Sequence, residues 1–428
     1  MLIGIIIALA FLMFGAMKGW SILVIAPVGA LIAGITVSGI DLLDLYTVEY
    51  MTGVGSYIIS WFPMFLLGAI FGELMKESGA AASIARTIIR KLGAQHAILA
   101  VMLSIIVMVV GGISIFTIVF AVYPFMLICF KEADLPQRLM PGVVIGGIIV
   151  SESSIPGNPQ IQNLIPTSML GVDPMGGPII GFTGFLVMTI MAVFYLNWEA
   201  RRLKKQGYHF EDERNELGGF DLDNADLPNF WLCLVPIVVI IVLLNVVKLD
   251  PVISVAAGTL LMFLMFFKRL IKGVKGYVAT ACANSMPAIM NTACATGFGA
   301  VVQILPGFDQ LVELLDGLVQ GNPYLFAYIA VNILAGVSGS ASGGMTIALN
   351  AVGERLLATG AHPGALARVV AISSVGLDSL PHNGAIVTII NYCGQDHKKS
   401  YFPMFIVSVV IPVIAGALAV IMANLGIA

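Results

Sequence analysis

Hydrophobic residues run in long blocks along this chain, and its polar interruptions are few enough to read one at a time. A bilayer span needs roughly 20 apolar residues. Runs of that kind fall near 1–17, 20–38 and 54–75. The first has no basic segment before it and no small-x-small cleavage site after it, so a membrane helix is expected there and not a leader. Residues 79–93 are shorter and carry Arg86, Arg90 and Lys91 on one side, the pattern of a helix lying at the interface. Two short apolar arms, 96–110 and 115–130, flank Gly111-Gly112-Ile113-Ser114. They form either a re-entrant hairpin or two spans joined by a tight turn; irregular backbone at that depth needs protein or a cavity around it. A helix over 136–151 then runs into Glu152-Ser153-Ser154-Ile155-Pro156-Gly157-Asn158, followed by a short segment at 160–170 and a span at 178–196.

The second half repeats this order at an offset of about 227 residues. Spans near 229–247, 251–267 and 277–304 answer the first three, and the acidic segment 308–318 answers the interfacial one. Arms 322–337 and 345–358 flank a second small-residue stretch, Ser338 to Gly344. A second break reads Asp378-Ser379-Leu380-Pro381-His382-Asn383, and the last span is 401–425. Phe71-Gly72 answers Phe298-Gly299, Gly112 answers Gly339 and Pro136 answers Pro363. The expected organisation is a first repeat over 1–196, with scaffold helices in 1–75 and a hairpin plus broken helix in 95–170. A linker follows at 197–227. The second repeat covers 228–428, with scaffold at 229–304, hairpin and broken helix at 322–393, and the last helix.

The two breaks share an acid, a serine, a proline and an asparagine. Proline lacks an amide donor and clashes with the preceding turn, so neither break continues a helix. Matching polar breaks in two hydrophobic halves are the best sequence pointer to a transporter's binding site.

Composition narrows the class. The 428 residues are 59% hydrophobic and 11% charged, with a mean hydropathy of +0.99. Soluble domains carry about 25% charged residues, so the expected class is an all-α polytopic membrane protein. The net charge of −3 decides nothing, but the placement of charge does. Lysine and arginine mark cytoplasmic loops: Lys18, residues 86–91, Lys131 with Arg138, 201–205, 268–275 and Lys398 with Lys399. The acidic stretches 41–49 and 309–316 are then outside. Counting spans places both termini outside, the linker 197–227 in the cytoplasm and the two repeats in opposite orientation, the scaffold of alternating access. The five cysteines sit in apolar stretches without metal or disulfide spacing. No phosphate-binding loop, metal cluster or nucleophile–base–acid set occurs, so an enzyme, a nucleotide-driven pump, a resident cofactor and a nucleic-acid partner are not expected.

The stretch GSASGGMTIALNAVGERLLATGAHPGALARVVAISSVGLDSLPHNGAIVTII, over 339–390, resembles the C-terminal signature of the gluconate permease (GntP) family. That family belongs to the ion-transporter superfamily of carboxylate transporters. The similarity runs over most of the chain, and its motifs concentrate at 338–383 and 152–163. The resemblance implies proton-coupled uptake of a small hydroxy- or sugar-acid anion, such as gluconate or 3-hydroxybutyrate, across a bacterial-type inner membrane. It also implies paired re-entrant hairpins, broken helices and an elevator motion in a homodimer surrounded by lipid.

A carboxylate needs donors where water is scarce, and broken helix ends supply backbone N–H groups without a basic side chain. Gly111, Gly112, Ser114, Ser338, Ser340 and Ser342 are the candidates at the hairpin tips, and Ser153, Ser154, Asn158, Ser379 and Asn383 those at the breaks, with Asn163 and Asn350 next. Glycine permits close backbone approach and serine can donate; small residues also simply pack membrane helices. Glu152, Asp378 and His382 are the proton-coupling candidates, since an ionisable group in a membrane is expensive and a carboxylate away from water holds its proton more readily. The bland alternative is that the acids cap helix ends. Only the second break has a histidine, opposite Gly157 of the first, so coupling by one half is expected from the second. Arg368 either pairs with neighbours such as Glu354 or faces a substrate carboxylate. The competing function is a cation/proton antiporter, or a Na⁺-coupled carboxylate carrier, of the same superfamily. A closely spaced acid pair would favour the antiporter.

Overall fold

Runs this apolar satisfy their backbone away from water by coiling or by closing a barrel. This chain coils, with Pro27, Pro63, Pro166, Pro236, Pro287 and Pro403 inside its helices. The computed structural model describes residues 2–18, 20–37, 39–113, 115–211, 226–308, 310, 321–381 and 383–428. It is helical throughout, with no strand among them. The first helices are α1 (Leu2–Met17), α2 (Ile22–Ile35) and α3 (Leu42–Glu77). The acidic stretch 41–49, expected as a loop, is helical instead. Asp41 accepts the Leu43 amide at 2.8 Å and so caps α3, whose early turn over Leu45–Tyr50 is a π-helix. The amphipathic α4 (Ala80–Leu92) meets α5 (Ala97–Val110) across a 105° bend. α6 (Ile115–Glu132) follows the turn after Val110 and closes the first hairpin. α7 (Met140–Glu152) ends at the first break, α8 (Ile161–Met169) resumes beyond it, and α9 (Pro178–Lys205) completes the half.

The expected linker therefore starts late: residues 197–205 continue α9 because Glu199, Arg202 and Lys204 are good helix formers at a charged end, and Glu199 pairs with Arg202 at 3.1 Å. Residues 212–225 lie outside the described residues.

The second half contains α10 (Phe230–Asn245), α11 (Pro251–Met265) and α12 (Val274–Ile304). The acidic segment 308–318 falls almost wholly outside the described residues. α13 (Pro323–Ser338) and α14 (Ala341–Ala358) form the second hairpin. Its turn is tighter than the Ser338 to Gly344 stretch suggests. Gly339 takes a left-handed φ of 60°, Ser340 caps α14 by accepting the Gly343 amide at 3.2 Å, and Ser342 to Gly344 are already helical. α15 (Pro363–Ser374), the second break, α16 (Gly384–Tyr392) and α17 (His397–Asn424) complete the chain.

Among the described residues, α3, α9 and α17 are long and apolar enough to cross a bilayer, as is the bent α4–α5 pair if it counts as one span. Several shorter apolar helices accompany them, and the chain is a multi-pass membrane protein. α3 and α12 pack along each other at its centre. A Cβ on Gly53 would stand 2.7 Å from Ala300 Cβ and 2.9 Å from Gly297 Cα. The beginning of α3 thus lies on the end of α12, and the two run antiparallel. α2 packs on α12 as α11 packs on α3, while α8 packs on α14 and α15 as α16 packs on α6 and α7. The contacts of one half are mirrored by the other.

A candidate translocation site at two broken helices

A broken helix leaves carbonyls bare at one end and amides bare at the other. Each asparagine of the two breaks answers both needs. Asn158 Nδ2 donates to Ser151 O (3.2 Å), Glu152 O (3.4 Å) and Ile155 O, while its Oδ1 accepts the Gln160 amide at 2.9 Å. Asn383 Nδ2 donates to Asp378 O and Gly339 O, both at 3.0 Å, and its Oδ1 accepts the amides of Ala385 (2.7 Å) and Ile386 (3.2 Å). Asn383 also ties the second break to the tip of its own hairpin. In the first half Gln160 does this, donating through Nε2 to Val109 O (2.8 Å) and Ile113 O (3.2 Å).

The serines are less free than their type suggests. Ser153 donates back to Ile149 O at 2.9 Å and Ser154 to Val150 O, both within α7. Ser379 donates to the Asp378 carboxylate at 2.8 Å. Ser340 and Ser342 stand 3.4 Å apart, and Ser342 stands 3.4 Å from Thr292 of α12, with the buried Tyr57 hydroxyl of α3 beside them. Asn163 turns away from the first hairpin, donating to Asn158 O at 2.8 Å and accepting from Arg368. Ser114 and His382 lie outside the described residues, as does the side chain of Ser338.

The acids differ. Glu152 is the last residue of α7, 3% exposed; it takes no hydrogen bond from a described side chain or amide and lines a cavity of about 140 Å³. Gly112, whose φ is 83°, lines the same cavity together with Gln160, Gln162, Asn284 and Ser285. Asp378 is 9% exposed and lies in the break itself, where its carboxylate accepts from the Ser379 hydroxyl at 2.8 Å, with the backbone amides of Ser379 and of Ala341, the first residue of α14, close by. α16, which begins at the second break, packs on α7, which ends at the first, and the two carboxylates interact electrostatically.

A second cavity, of about 510 Å³, shares Met64 with the first. It opens beside the start of α11 and the end of α8, and its walls carry Ser56, Tyr57, Ser60, Thr167, Thr296, Thr346 and Asn350. Among the described residues, no lysine or arginine lines either cavity. Arg368 is wholly buried behind them, and its donors go to Asn163 and to backbone carbonyls, not to Glu354.

Sequence reasoning missed Gln160, Gln162, Asn284 and the hydroxyls of α3 and α12. The glutamines follow the first break directly and were within sight. Tyr57 and Thr292 carry no signal, since a single hydroxyl in an apolar helix usually bonds its own backbone.

At the basic end of α9, Asp134 accepts the His209 ring nitrogen at 2.8 Å and the Phe210 amide at 3.1 Å, with Lys204 at 3.6 Å. The His209 hydrogen bond, then the Phe210 amide and the Lys204 charge, hold its carboxyl below the usual carboxylate range. Arg138 stacks on Tyr208, 3.8 Å from the ring centre, so the root of the linker is fastened to the loop between α6 and α7.

Comparison with known proteins agrees with this architecture. The family profile described as GntP family permease matches residues 1–270. The chain is 33% identical to the uncharacterized transporter YxjC of Bacillus subtilis (strain 168), an alignment covering 96% of each protein. It is 27% identical to an uncharacterized transporter of Haemophilus influenzae over 78% of each. The chain is a membrane transporter and belongs to the GntP permease family.

Proposed function

We propose that the protein is a secondary active transporter that carries a small organic carboxylate, a gluconate- or 3-hydroxybutyrate-like hydroxy acid, together with a proton across a bacterial inner membrane. The observation that carries this reading is the meeting of the two breaks, with the Glu152 carboxylate bare at a cavity and Asp378 within reach of it. Two negative charges in a water-poor volume are unfavourable, and a shared proton relieves them. The half-helices α8 and α16 begin at the breaks and direct amide dipoles there, which suits an anion where no basic side chain is present. Hydroxyl and amide groups around the larger cavity offer partners for substrate hydroxyls.

In this reading Glu152 carries the proton. Asp378, bonded to the Ser379 hydroxyl and beside the Ala341 amide, steadies the second break against the tip of its hairpin. The weight thus moves to the first half, whereas the histidine pattern pointed to the second. The antiparallel α3–α12 pair and the mirrored contacts support two inverted repeats, divided at the linker, that work by alternating access. On this account the hairpins and breaks move as an elevator body against scaffold helices, in a homodimer with both termini outside. The 510 Å³ cavity is then the outward vestibule. The same acid pair supports a second reading, a cation/proton antiporter, or a Na⁺-coupled carrier using Glu152 with side-chain and carbonyl oxygens.

Uptake into proteoliposomes, with a panel of labelled carboxylates under imposed pH or Na⁺ gradients, separates these. Symport predicts accumulation driven by the pH gradient alone. Movement of Na⁺ against protons with no carboxylate uptake establishes the antiporter.

A further inference from the structure

Arg368 of α15 is the largest fully buried side chain, 0% exposed. No aspartate or glutamate stands within ion-pair distance of it among the described residues. A guanidinium withdrawn from water without a counter-ion is strongly unfavourable unless hydrogen bonds replace its hydration. Its bonds all cross to the other half. Nε donates to Gly176 O at 2.6 Å and Nη2 to Pro174 O at 3.0 Å and to Asn163 Oδ1, leaving Nη1 unpartnered.

Two of these acceptors lead directly to the first break. Asn163 donates to Asn158 O at 2.8 Å, and Asn158 in turn holds the last carbonyls of α7, including that of Glu152. Pro174 O also accepts the Gly157 amide at 2.9 Å, while Asn245 of α10 donates to Gly157 O at 2.8 Å. The loop is shaped around the arginine. Gly177 has a φ of 62°, and a Cβ there would run into Gly364 O and Arg368 Cγ. At the corresponding place in the first half, about 227 residues earlier, Pro141 stands instead.

We propose that Arg368 is a positioning residue. Acting from the second half through Asn163 and Pro174, it holds the first break in the shape that presents Glu152 to its cavity. Its consequence for transport rests on the role given to Glu152 above; the contact itself does not, and its test needs no substrate.

Hydrogen–deuterium exchange of the full chain in lipid nanodiscs reads the backbone of 153–177 directly, with 376–395 as the internal reference. Arg368→Ala and Arg368→Lys should each speed exchange across 153–177 by about tenfold, because a lysine cannot reproduce the fork of bonds. The reference segment should be unchanged. Asn163→Ala, a milder change that tests the relay if the arginine variants fail to fold, should speed the same segment by a smaller factor. Combined with Arg368→Lys it should add little, because both remove one linkage. Exchange that rises equally in both segments, an unchanged 153–177 in Asn163→Ala, or full additivity in the double variant would overturn the proposal.

Discussion

The two breaks are built from nearly the same residues and end up with different jobs. In the first, α7 persists through Glu152, so the acid is delivered at a helix end to a cavity, its carboxylate taking no hydrogen bond from a described residue. In the second, α15 stops at Ser374, and Asp378 sits in the loop, where its carboxylate accepts the Ser379 hydroxyl beside the amides of Ser379 and Ala341. The lesson is that where a helix ends, as much as which acid follows, decides what surrounds a buried carboxylate; on the proposed reading this leaves Glu152 to exchange a proton and Asp378 to anchor.

The largest effect is expected at the acids. With one proton carried per substrate, a gradient of two pH units sustains about 100-fold accumulation, each unit being about 1.4 kcal/mol. Glu152→Gln should collapse this to equilibration while exchange of labelled for unlabelled substrate continues. Asp378→Asn should keep gradient-driven accumulation and lower the melting temperature. Uptake assays in which Asp378→Asn alone loses accumulation would reverse the assignment.

Next come the asparagines, where the halves should agree. Asn158→Ala and Asn383→Ala each strip a bridging amide and leave buried carbonyls bare, a loss of about 1–3 kcal/mol. Thermal unfolding should show comparable falls for both. A large fall for Asn383→Ala and none for Asn158→Ala would mean that only the second break is held this way.

The smallest effect lies outside the membrane, at the linker, whose near root Asp134 fastens in the first half as Arg269 holds Asp226 in the second. The carboxyl of Asp134 is held below its unfolded range, so its contribution is present above about pH 4 and is lost as pH falls through the folded value. The stability difference between wild type and Asp134→Asn should be steady near pH 7 and shrink in acid. A difference that grows in acid would contradict the pairing.

Much of this was legible in the chain. Apolar runs and Pro156 and Pro381 marked the helices and both breaks, and the family likeness followed from 339–390. Helix ends were harder. Residues 41–49 and 197–205 are charged enough to read as loops, yet Asp41 and the Glu199–Arg202 pair stabilise helix there. Within the site, pattern gave the residue types and missed their direction. Ser153 and Ser154 look like ligands but bond back into α7, and Arg368 looks like a substrate counter-charge but serves Asn163. The serine bonds span only four residues, whereas the arginine's partner lies some 200 positions away, which no local pattern records.

The most direct test follows the proton itself. Proteoliposomes loaded with a pH-sensitive dye and given gluconate or 3-hydroxybutyrate, without an imposed gradient, should acidify internally with wild-type protein and stay silent with Glu152→Gln. Sodium-dependent uptake that leaves the internal pH unchanged, or acidification that survives in Glu152→Gln, would contradict the account.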